Sequence, residues 1–72
     1  MKLQKTSDPT LLRIRAERQK RGWRQIDLAY HANVPISELS RIETGQARPY
    51  PAYAERLSSI LGLLPDELQE VE

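Results

Sequence analysis

WRQIDLAYHANVPISELSRIETG, residues 23–45, decides the fold, because it holds two short helical patterns joined by a tight turn. Leu28, Ala29 and Ala32 fall on one face of the first pattern, and Leu39 and Ile42 on one face of the second. Each helix therefore has an apolar stripe only about two turns long, and neither is stable alone. Asn33 stands where the first helix must stop and reverse. That place wants a left-handed backbone, and Asn is the non-glycine residue best suited to it. Pro35 fits the start of the next helix, since its missing N–H costs nothing there. Gly45 ends that helix.

The outward face of the second helix bears on function. At about 100° per residue, Ile36, Ser37, Ser40, Arg41 and Thr44 project away from Leu39 and Ile42. This gives short polar groups, one β-branched apolar group and one guanidinium. Such a face fits the major groove of duplex DNA. Short side chains let the helix backbone approach, Arg can bond a guanine edge through two donors, and Ile can meet a thymine methyl. A solvated surface helix is the other reading of the same residues.

Composition narrows the classes. The 72 residues make one domain with a core near the lower limit for folding without staples. The absence of cysteine excludes disulfides and thiolate metal sites, and a single histidine argues against zinc. We expect no metal and no cofactor. The apolar runs are too short to span a bilayer, and Met1 to Ser7 lacks a signal-peptide core, so a cytoplasmic protein is expected. Net charge is only +1, yet residues 1–24 hold eight Lys and Arg against two acids, and residues 49–72 hold Arg56 against five acids. A chain polarised in this way can turn a positive side to phosphates.

Met1 to Ser7 lacks periodicity, and residues 1–8 are read as a flexible arm in which Lys2 and Lys5 can follow phosphates. Residues 9–72 form the domain, with the two-helix motif at about 25–44. Asp8 and Pro9 predict a helix start, and Leu11, Ile14 and Arg18, with Leu12 and Arg15 alongside, trace that helix to about Arg21, before Gly22. Arg18, Lys20 and Arg21 suit the negative end of its dipole. Trp23 reads as core or staple, with base stacking as the alternative. Gln25 begins the second helix, where its amide and the exposed N–H groups can hold a phosphate oxygen. Ile26 and Tyr30 face away from Leu28 and Ala32. Arg48, on the loop after Gly45, is placed to clamp a backbone phosphate, with a solvated loop cation as the other reading. Pro51 opens a helix through Leu61, with Ala54, Leu57, Ser58 and Leu61 inward, and Pro65 a last short one with Leu68 inward. Leu64 and Val71 remain as apolar residues for a small symmetric dimer patch or an imperfect surface.

From Ile14 to about Leu68 the chain resembles the Cro/repressor (XRE-like) class of helix-turn-helix domain, found in phage repressors and small bacterial regulators. The marks are IRAERQKRGW, Gln25, Leu28-Ala29, Val34, LSRIETG, Pro49 and ILGLLPDEL; their joint spacing carries the likeness. The resemblance implies an all-α, compact five-helix bundle whose third helix enters the major groove of an operator bound by a dimer. It makes Ile36, Ser37, Ser40 and Arg41 base-facing, and puts Gln25, Thr44, Gln46 and Arg48 on the sugar-phosphate backbone. It also implies an internal ion pair between Arg15 and Glu43, with a bacterial or phage origin and a place on the nucleoid. The sequence departs from the class where Pro35, Tyr50 and Leu64 stand at helix starts that commonly carry Ser or Thr. Ile36 stands where a polar base reader is frequent, and Glu38 lies on the flank of the reading helix.

The expected function is a sequence-specific double-stranded DNA-binding transcriptional regulator, a homodimer on a palindromic operator. The reading from another class is a protein-interaction module of the same fold, antitoxin- or adaptor-like, drawing on exposed Ile26, Tyr30 and Ile36. An enzyme is not expected: His31 and Asp27, one turn apart, lack a nucleophile and a concave site.

Overall fold

The computed structural model describes residues 11–72, so the arm at residues 1–8 and the helix start at Asp8 and Pro9 lie outside the described residues. Four α-helices follow in order: α1 (Arg13–Lys20), α2 (Gln25–Ala32), α3 (Ile36–Glu43) and α4 (Pro51–Leu61). The last short helix of the expected five is instead a 3-10 turn, Pro65–Glu67.

Two differences from expectation share one cause. Leu12 is extended, with φ −81° and ψ 152°, and α1 begins only at Arg13. Leu12 forms an isolated antiparallel bridge with Val71. The first N–H groups of α1 donate to the chain end, Arg13 to the Glu70 carbonyl at 2.8 Å and Ile14 to that of Leu68 at 2.9 Å, while Glu72 N–H donates back to Leu11 at 2.9 Å. A helix start leaves its first N–H groups without partners inside the helix. Here backbone carbonyls satisfy two of them, and the last residues, which turn after Leu68 and bridge to Leu12 at Val71, do not continue as a helix.

The turn between α2 and α3 follows its sequence. Asn33 adopts φ 54° and ψ 50°, the left-handed conformation that a short polar side chain tolerates. The backbone N–H groups of Asn33 and Val34 then close back on the carbonyls of Tyr30 and Ala29. Arg56 from α4 supplies a second closure, its Nε donating to the Ala32 carbonyl at 2.8 Å and its Nη2 to that of Asn33 at 3.0 Å. A cation at the negative end of α2 also complements the helix dipole. The same guanidinium lies 5.4 Å from the Tyr53 ring centroid.

One core joins all the elements. Ile14, Leu28, Leu39, Ile42, Leu57, Leu61 and Leu68 are fully buried, with Ala29, Ala32, Val34 and Ala54 filling between them. Burying each large aliphatic side chain contributes about 1.5–3 kcal/mol. Because α2 and α3 place their stripes on this core, the opposite face of α3 is left to solvent. No helix among the described residues is long and apolar enough to cross a membrane.

Candidate nucleic-acid interface

The exposed face of α3 is set by what lies behind it. Leu39 and Ile42 are at 0% exposure, which turns Ser37 and Arg41 outward, both exposed, with Ser40 half-buried between them. Ile36, in the first turn, is 47% exposed. The four residues expected to face bases therefore share one surface of one helix. Glu38 is half-buried on its flank.

Glu43, on the inner side of α3, is at 1% exposure. Its carboxylate accepts from Arg18 through both oxygens, Nε to Oε2 at 2.7 Å and Nη2 to Oε1 at 3.0 Å. The guanidinium that holds Glu43 is thus that of Arg18 rather than the expected Arg15. The helix geometry explains this. Arg18 sits three residues beyond Arg15, in the last turn of α1, and its Nη1 also donates to the Trp23 carbonyl at 2.7 Å. One fork thereby binds the end of α1, the connection to α2 and the inside of α3. Bidentate geometry and satisfaction of the remaining donors are what make a buried pair tolerable. Arg18 lay on the apolar stripe of the first pattern, and a cation in that position is the signal for a buried partner.

Gln25 opens α2 and is half-buried, with Nε2 donating to Glu43 Oε1 at 3.0 Å. Its amide is therefore oriented from inside, leaving a second N–H for another acceptor. Beside it Asp27 accepts the Arg24 backbone N–H at 2.8 Å and the Arg24 side chain at 3.2 Å. The hydrogen bond from the Arg24 side chain, then that from its backbone, holds the Asp27 carboxyl below its ordinary 3.8. This acid at the start of α2 is thus offset by a cation at the same place.

Beyond α3 the chain is tied down before it reaches α4. Thr44 donates its hydroxyl to the carbonyls of Ser40 and Arg41, at 3.1 and 3.2 Å, so this hydroxyl proton is used within its own helix. Gln46 and Ala47 return their N–H groups to the Arg41 carbonyl. Gln46 and Arg48 are both exposed. From the chain end, Gln69 Nε2 donates to the carbonyls of Ile42 at 3.1 Å and Ala47 at 2.7 Å. Neither Gln69 nor Arg56 was singled out by the sequence, because both act on carbonyls of residues distant in the chain.

The positive charges divide clearly. Arg13, Arg18, Lys20, Arg21 and Arg24 face acids, Arg56 caps α2, and Arg15 has a partner of its own. Among the described residues, that leaves Arg41 on α3 and Arg48 on the following loop as cations with no side-chain partner. Trp23 packs against the core and stacks on His31, ring centroids 4.8 Å apart. Among the described residues, no three His, Asp or Glu side chains come together as metal ligands do. Leu64 and Val71 are exposed.

A family model described as a helix-turn-helix domain matches residues 12–71. No curated protein and no solved structure matches the chain. The match runs from Leu12 to Val71, the two partners of one bridge, and takes in all four described helices, and the chain belongs to the helix-turn-helix domain family.

Proposed function

We propose that the protein is a sequence-specific double-stranded DNA-binding transcriptional regulator that places α3 in the major groove. The single observation carrying this is the position of Arg41 and Arg48, two unpaired cations on the exposed face of α3 and the loop behind it. An unpaired guanidinium on a helix that admits close approach can bond a guanine edge, and one on an adjacent loop can meet a phosphate. Ile36, Ser37, Ser40 and Arg41 read bases, and Gln25, Gln46 and Arg48 meet the sugar-phosphate backbone. Thr44 takes part through its oxygen or main chain, since its hydroxyl proton serves α3. The protein binds as a homodimer of the Cro/repressor kind, with Leu64 and Val71 between copies, and acts in the cytoplasm of a bacterial or phage-infected cell. No catalytic role is assigned to His31.

The test is duplex binding by two variants. Arg41→Ala is expected to fold as wild type and to lose about 1–3 kcal/mol of discrimination at one base pair. Arg48→Ala is expected to weaken binding to all sequences alike and to lower the salt slope by about one. Unchanged binding by both variants would overturn the reading.

A second reading, a protein-interaction module, is favoured by Tyr30. Its side chain is 81% exposed at the edge of an open groove of about 850 Å³ that Val34, Pro35, Tyr53 and Arg56 also line. The two readings separate at this residue, because the DNA reading expects Tyr30→Ala to leave duplex binding unchanged.

A further inference from the structure

The side chain of Gln69 lies at the meeting of three parts of the molecule. Its backbone belongs to the chain end that pairs with the start of α1, where Leu68 and Glu70 on either side accept the N–H groups of Ile14 and Arg13. Its amide reaches the other way. Nε2 donates both its hydrogens, one to the carbonyl of Ile42 in the last turn of α3 and one to that of Ala47 in the loop. The Ala47 peptide carbonyl is bonded directly to the nitrogen of Arg48, so fixing that carbonyl fixes the plane from which the Arg48 chain departs. Arg48 and Gln69 also line the same two open grooves, together with Asp66.

We propose that Gln69 is a positioning residue for DNA binding, a latch that holds the loop after α3 so that Arg48 meets a phosphate without first being ordered. This rests on the reading of Arg48 as a phosphate contact. The two bonds span α3 and the loop and leave the exposed face of α3 untouched. Gln69 therefore acts on backbone affinity and not on base preference. A side chain without two donors at this place, such as Met, leaves the Ala47 carbonyl to water and lets the loop move. The ordering cost then falls on binding.

The experiment is a double-mutant cycle on a mixed-sequence DNA duplex pool, with Gln69→Met, Arg48→Ala and both together titrated across salt. Losing one phosphate contact at a slope of about −0.9 per contact weakens binding by up to about eightfold at about 0.1 M salt. Gln69→Met is expected to weaken binding by part of that factor, to lower the salt slope, and to add nothing in the Arg48→Ala background. Backbone amide exchange of residues 46–48 in the free protein is expected to speed up in Gln69→Met while that of α2 stays as in wild type. Additive losses with an unchanged salt slope, or loop exchange equal to wild type, would overturn the latch and leave the DNA reading standing. If Arg48→Ala binds like wild type, the phosphate contact itself fails, and the latch with it. If Gln69→Met does not fold, Gln69→Ala takes its place, since it removes the donors and adds no charge beside Arg48.

Discussion

At the scale of single residues, the largest electrostatic commitment is the buried carboxylate of Glu43. Removing its cation strands a charge inside the molecule, which costs about 3–5 kcal/mol. A core of this size supplies a net stability of about the same amount. Arg18→Met is therefore expected to leave the chain largely unfolded in urea titration, while Arg18→Met with Glu43→Leu recovers most of the lost stability. Equal midpoints for Arg18→Met and wild type would contradict this account of the pair. The existence of a buried pair involving Glu43 followed from the likeness to known domains, but its partner did not. Arg15 and Arg18 differ by less than one turn, and only the path of the chain through Trp23 selects the second. The outward surface of α3 was legible because a two-turn helix with Leu39 and Ile42 buried leaves one outward side.

At the scale of elements, α2 is held at both ends by arginines. At its start, the Arg24 side chain and backbone N–H depress the Asp27 carboxyl below 3.8. In α1, hydrogen bonds from Arg21 and then Lys20 depress Glu17 below 4.5. As the pH falls, the unfolded chain takes up these protons first, so the associated stability is complete above the ordinary values. It is lost as pH drops through the lower folded ones. Arg24→Ala is expected to return the Asp27 titration, followed by NMR, towards 3.8. At the other end Arg56→Ala removes two hydrogen bonds from the carbonyls of Ala32 and Asn33. It is expected to cost about 1–3 kcal/mol in denaturant unfolding. The turn at Asn33 and Pro35 was legible because its causes lie within three residues. The start of α1 and the fate of the last helix were not, because Leu12 pairs with Val71 from the opposite end of the chain.

At the scale of the whole molecule, packing α2 against α3 and α4 turns one helix face and one loop to solvent with their arginines unpaired. Most other charges are consumed within the fold. On the proposed function, a chain with a net charge of only +1 would bind a polyanion through the local field of Arg41 and Arg48, not through the sum. The proposed dimer makes its own prediction. Leu64→Asp is expected to shift the protein to monomer in sedimentation and to weaken binding to a two-half-site duplex far more than to one half-site. The most direct test of the central claim is selection of the purified protein against a random pool of DNA duplexes at near-physiological salt. The account predicts an enriched inverted repeat whose half-site centres lie about one helical turn apart. Salt-sensitive binding with no enriched sequence would contradict it and shift the function to the face around Tyr30.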